Sequence, residues 1–224
     1  MPDLLIGTSG WSYKNWSGFY PEDVSPKDYL GYYTGQFNSV EVNATYYNLP
    51  SENTVNKWRE TAADDFRFSV KGHRRITHYN KMKDVNEPLN QFLSRMRLLG
   101  DTLKTVFWQF PPNFKKNTER LESFLEKLPD DQQFAFEFRH TSWLNKEVYN
   151  LLSDTNAAIV WQSSGEFPDD RERAGWLCDG HPGLSRDDSA LRLACTCLGR
   201  NGRGKLSRSP DSRRDDRGGD GTLQ

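Results

Sequence analysis

The chain has 224 residues and a formal net charge of −1, enough length for one large domain or two small ones. That balance gives no electrostatic footprint for nucleic acid or anionic lipid, so a polyanion partner is unsupported by net charge. The start, Met-Pro-Asp-Leu-Leu-Ile-Gly, has no basic region followed by an apolar one, and no apolar run approaches a membrane span, so a cytoplasmic protein without a membrane segment is expected.

Elements follow in chain order from periodicity and caps. Leu4–Ile6 is a short apolar strand ending in Gly7-Thr8-Ser9-Gly10, and Ser25 with Pro26 opens a helix running to about Gly35. Ser39–Tyr46 reads as a strand closed before Pro50, and Ser51 caps a helix reaching about Ala63. Phe66–Lys71 alternates strictly as a third strand. Leu89, Phe92, Leu93, Met96 and Leu99 then recur at helical spacing and stop at Gly100. Val106–Phe110 is a fourth strand, and Leu121, Phe124, Leu125 and Leu128 mark a helix ended by Pro129. Gln133–Arg139, a helix through Val148, Leu151 and Leu152, and a strand over Ala157–Trp161 complete the series.

Strands alternating with helices through short connections imply parallel strands and right-handed crossovers. Three strands are apolar on one face only, with polar sets Glu41 and Asn43; Arg67, Ser69 and Lys71; and Glu137 and Arg139. An open doubly wound sheet would be apolar on both faces, whereas a barrel turns its apolar set toward the helices and its polar set toward the axis. The expected fold is therefore α/β, a TIM-like (β/α) barrel. It places Glu41, Lys71, Gln109, Glu137 and Arg139 near strand C-termini, where barrel sites are built.

Composition changes near residue 170. Before it stand 11 Lys and 8 Arg; after it, 1 Lys and 10 Arg, with 9 of the 17 glycines and Trp176 as the one aromatic. Too little apolar bulk remains there to offset ordering entropy. Two regions are expected: a partial barrel of about six strand–helix units over 1–167, and a low-complexity, disordered tail over 168–224.

The stretches Ile6-Gly-Thr-Ser-Gly-Trp-Ser-Tyr13, Val40-Glu-Val-Asn-Ala-Thr-Tyr46, Lys71 with Ile76-Thr-His78, Gln109-Phe-Pro-Pro112, and Glu137-Phe-Arg-His140 with Trp143 resemble the successive motifs of the YecE-like family, domain of unknown function 72. The resemblance implies a TIM-type barrel and carries no assigned activity with it. The family's later motifs, a Tyr-x-Arg-x-His-Gly strand and a strand with paired asparagines, are not legible after Phe167. The Arg/Gly/Ser/Asp-rich end reads as a shifted reading frame or as an authentic disordered tail, and an inactive truncated product is one reading of the chain.

For chemistry, Glu41 and Glu137 are the candidate acid/base pair, with Lys71 as a third catalytic candidate. Lys71 and Arg139 would also hold an anionic group of a small sugar- or phosphate-containing ligand. Asn43, His73, Gln109 and His140 would add polar contacts, and Trp11, Tyr46 and Trp143 would supply flat walls. The competing reading is a satisfied internal charge layer, with Trp11, Trp58 and Trp143 as packing and His78 anchoring a loop. A further alternative is a non-catalytic module binding a ligand or nucleic-acid end. No cofactor is required by the sequence. Glu41, Glu137, His73 and His140 are ligand types suited to a divalent ion, but without metal-binding spacing. Cys178, His181, Cys195 and Cys197 have too short a gap for ordinary zinc spacing, and oligomeric state is not readable.

Overall fold

The computed structural model describes residues 5–14, 16, 18–155, 157–160 and the backbone of 193–195. Strands β1 (Leu5–Ser9), β2 (Ser39–Val42), β3 (Arg67–Lys71), β4 (Leu103–Phe110), β5 (Phe134–Phe138) and β6 (Ala157–Ile159) follow one another across a single parallel sheet. A seventh short strand, β7 (Leu193–Cys195), pairs in parallel with β1. The sheet runs β6-β5-β4-β3-β2-β1-β7 and is open, with β6 and β7 as its edges among the described residues. Helices α1 (Tyr29–Thr34), α2 (Ala44–Tyr47), α3 (Glu52–Thr61), α4 (Asn86–Met96), α5 (Thr118–Leu125) and α6 (Lys146–Asp154) lie in the connections. The architecture is the expected α/β alternation of an incomplete barrel. Apart from β7, the tail and its cysteine side chains lie outside the described residues.

The alternation along the strands separates two faces. Val40, Val42, Phe68, Val70, Trp108, Phe110, Phe136 and Phe138 join helix residues such as Val55, Leu89, Phe92, Leu121, Phe124, Val148 and Leu152 in one apolar core. Glu41, Ser69, Thr105, Phe107, Gln109, Ala135 and Glu137 alternate with them on the other face, also buried. This is the period-two division that a barrel interior requires.

Local chemistry sets the boundaries. Ser51, Asn117 and Asn145 cap α3, α5 and α6 by accepting the backbone N–H three residues on, removing one unsatisfied donor from each helix start. Helix α1 begins at Tyr29, not Ser25. The Ser25 hydroxyl donates to Asp28 Oδ2 at 2.6 Å and Asp28 N–H donates to the Ser25 carbonyl, closing a turn before the helix. The second strand stops at Val42, where the buried Thr45 hydroxyl shares its one proton between the carbonyls of Val42 (3.0 Å) and Lys71 (2.7 Å) as Ala44–Tyr47 coils into α2. After Met96 the chain makes two short 3₁₀ pieces within Arg97–Thr102, broken by a kink at Gly100, which takes φ 55°. The buried Tyr33 hydroxyl accepts from Thr8 N–H (2.8 Å) and donates to the Ser39 carbonyl (3.0 Å), tying β1 to β2 through α1.

Candidate functional site

The inward side chains gather toward the C-terminal ends of β1 to β5. Backbone register pairs Ser9 with Glu41, Glu41 with Ser69, Lys71 with Phe107, and Gln109 with Glu137. Glu41 therefore lies opposite Ser69, with Lys71 two residues further along β3, rather than directly opposite Lys71. Counting along these registers, Lys71 stands two residues beyond the level of Ser9 and Glu137 four. In an eight-stranded barrel of shear eight the level climbs about one residue per strand, so side chains from alternate strands form one layer. Ser9, Lys71 and Glu137, on β1, β3 and β5, follow that climb.

Each carboxylate has defined partners. Glu41, 9% exposed, accepts from the Ser9 hydroxyl at 3.0 Å, and the Ser9 oxygen in turn accepts from Asn43 Nδ2. Glu137, 6% exposed, accepts from Gln109 Nε2 on one oxygen and from Arg139 Nε on the other, both at 2.8 Å. Arg139 keeps 43% of its side-chain surface open, so its charge also faces the mouth of the site. The Lys71 ammonium lies 5.3 Å from the Tyr46 ring centroid and 5.5 Å from that of Phe107, within cation–π range of both.

The segment after β3 brings His78 toward the strand ends through a turn whose form the sequence did not reveal. Arg75–Tyr79 forms a π-helical turn, a form that recurs at functional sites. It brings the His78 ring edge-on to Tyr46, with centroids 5.0 Å apart, and His78 Nδ1 pairs with the Thr77 hydroxyl at 2.9 Å. Burial, reinforced by the charges of Lys71, Arg139 and Lys81 and opposed by Glu137, holds His78 below its ordinary value of 6.5. Burial raises the Tyr46 phenol. Lys81 adopts φ 49° and Met82 φ 69°, left-handed conformations that non-glycine residues rarely take. The visible signal for this segment is the density of Lys, Arg and His after Lys71; the left-handed turn itself has no glycine to announce it.

Other sequence candidates are engaged in building the loops. His140 caps the 3₁₀ turn Thr141–Trp143, its Nδ1 accepting from Ser142 N–H at 3.1 Å. His73 Nδ1 accepts from Arg75 N–H, and burial ahead of the neighbouring arginines lowers its pKa. Trp11 packs edge-on against Trp58 at 5.7 Å and offers its carbonyl to the Tyr20 hydroxyl. Trp143 is no site wall: it is fully buried, stacks on Phe138 at 4.5 Å and donates its indole N–H to the Phe114 carbonyl. Among the described residues no group of three or more His, Cys, Asp or Glu side chains is gathered as metal ligands would be. No helix among them is long and apolar enough to cross a membrane.

The chain is 31% identical over 144 residues to UPF0759 protein YecE of Escherichia coli K12, covering 64% of this chain and 51% of that protein. It is 25% identical over 166 residues to UPF0759 protein YunF of Bacillus subtilis, covering 70% and 58%. The chain thus spans little more than half the length of these curated relatives. The solved structure of a DUF72 family protein from Thermotoga maritima superposes with a TM-score of 0.61 at 34% identity, covering 69% of this chain and 63% of that one. One from Enterococcus faecalis, at 20% identity and a TM-score of 0.59, shares the fold over 69% of this chain and 59% of its own. The family model described as Protein of unknown function DUF72 matches residues 5–192, past residue 167 where the motifs stop being legible, and the chain belongs to that family.

Proposed function

We propose that the strand C-termini form an acid/base site for a small polar or anionic substrate, of sugar- or phosphate-containing type. The observation that carries this reading is the meeting of opposite charges at one mouth. The buried Glu137 carboxylate is held on both oxygens, while the charges of Lys71, Arg139 and Lys81 add to burial in lowering the His78 pKa. Lys71 and Arg139 would bind the anionic group, Arg139 through the N–H groups not used by Glu137. Glu41 and Glu137 would exchange protons with the substrate, and Asn43, Tyr46 and Gln109 would orient it.

A second reading, a pocket that binds without turnover, draws on the same bonds: Glu41 and Glu137 already satisfy internal donors, as members of a structural polar layer do. The two separate by experiment. Sugars, sugar phosphates and small dicarboxylates are screened for binding by thermal shift, and each ligand found is followed by NMR for product. In the first reading Lys71→Met and Arg139→Met weaken binding, while Glu41→Gln and Glu137→Gln keep binding and abolish turnover. Binding with no product in any case selects the second. Turnover unchanged in both glutamine variants overturns the acid/base assignment.

A further inference from the structure

The β3–α4 connection holds a feature that the pocket does not use. Past Lys71 the connection carries Arg74, Arg75, Lys81 and Lys83 against the single carboxylate Asp84, in a protein whose net charge is −1. The whole-chain average conceals a strongly positive segment. Within it the Arg74 guanidinium lies between two tyrosines, 5.7 Å from the Tyr47 ring centroid and 5.6 Å from that of Tyr79. Both rings open to solvent, Tyr47 at 53% and Tyr79 at 67% exposure, and Arg75 and Lys83 are exposed nearby.

These rings are held in place. Tyr47 ends α2 and is braced edge-on by Tyr46 at 4.8 Å. Tyr79 ends the π-helical turn, which is fastened by Asn80 N–H to the Arg75 carbonyl and by Met82 N–H to the Ile76 carbonyl, each 2.9 Å. Met82, left-handed at φ 69°, is only 3% exposed and anchors the turn in the core. Backbone strain is thus tolerated in a segment that keeps a large aromatic ring in water.

We propose that Tyr47, Arg74 and Tyr79 form a binding platform for single-stranded nucleic acid, with bases stacking on the tyrosine faces and phosphates held by Arg74, Arg75 and Lys83. Stacking on aromatic faces beside a cationic track is the chemistry by which single strands bind without sequence preference. An acidic peptide would satisfy the cations and leave the ring faces unused. A lipid surface would call for further apolar side chains around the tyrosines, and among the described residues Leu49, at 37% exposure, is the one large aliphatic side chain exposed near them in the chain. This inference is independent of the pocket reading and survives its failure.

The test is fluorescence anisotropy of the full chain with labelled single-stranded DNA and RNA of mixed sequence, about 12 nucleotides long. Measurements at about 50 and about 200 mM salt give the slope of log affinity against log salt, expected near −2 for three phosphate contacts at about 0.7 each. Tyr47→Ala and Tyr79→Ala are each expected to weaken binding roughly 5- to 150-fold, while Tyr79→Phe retains it. Arg75→Ala and Lys83→Ala should each flatten the slope by about 0.7. Circular dichroism establishes that these surface variants remain folded. Absence of binding at the lower salt, affinity unchanged in the Tyr47→Ala/Tyr79→Ala double variant, or equal competition by polyglutamate would overturn the proposal. So would a loss in Lys71→Met as large as in Tyr79→Ala, which would place the strand in the pocket instead.

Discussion

Gly72→Ala is expected to destabilise the fold by about 2 kcal/mol, through a single added methyl group. Gly72 follows Lys71 at the end of β3, and a Cβ there would lie 2.1 Å from Trp108 Cε3 and 2.4 Å from Cζ3. Carbon atoms prefer about 3.5–4.0 Å, so the indole would have to retreat by more than about 1 Å. It has nowhere to go: Trp108 is fully buried, with Phe124, Phe92 and Phe134 at ring-centroid distances of 5.4, 5.7 and 6.3 Å. Overpacking of this kind costs about 1–3 kcal/mol, and an overlap against rigid rings belongs at the upper end. Restricting the unfolded chain by replacing glycine offsets about 0.4–1 kcal/mol of that. The assay is urea denaturation followed by circular dichroism, with a melting temperature lowered by roughly 4–8 °C as the parallel readout. A double-mutant cycle with Trp108→Leu isolates the clash, since removing the indole should recover at least about 1 kcal/mol of the Gly72→Ala cost. Stability within about 0.5 kcal/mol of the wild type, or strictly additive effects in the cycle, would refute the packing argument.

Ser51→Ala removes the hydroxyl that accepts from Thr54 N–H at the start of α3 and is expected to cost about 1 kcal/mol in urea denaturation, with Ser51→Asp restoring most of it. His78 is depressed in the folded state, so its neutral form contributes stability above the unfolded value of 6.5, and that contribution is lost as pH falls from there through the lower folded value. Imidazole NMR titration should show His78 protonating below 6.5, and Lys71→Met should raise its midpoint by removing one of the repelling charges; an unchanged midpoint would remove Lys71 from the environment of His78.

The strand faces and the start of α3 were legible because their causes are local. Alternation at Val40-Glu41-Val42 and at Phe136-Glu137-Phe138 fixes which side chains share a face, whatever the tertiary context. The cap at Ser51 depends on a hydrogen bond spanning three residues. The barrel choice came from the same source, since one-faced polarity in parallel strands has few architectural explanations. One boundary that differed depended on longer reach: β2 stops at Val42, where Thr45 bonds across to the end of β3, whereas the later start of α1 is set by the local Ser25–Asp28 turn. His140 has the residue type of a ligand, and only the folded loop shows that its Nδ1 caps the turn Thr141–Trp143.

By itself, then, the sequence determined the order of β1 to β6 and of the longer helices between them, the inward set of polar side chains and the family. Tertiary structure decided which members of that set meet: Glu41 with Ser9, Glu137 with Gln109 and Arg139, and His78 with Tyr46. Periodicity states the face a side chain takes, but the relative level of two strands joined through a helix is set by how that helix packs in the core. The left-handed turn at Lys81–Met82 is the extreme case, because its conformation is disfavoured locally and is held by Met82 buried among residues distant in the chain.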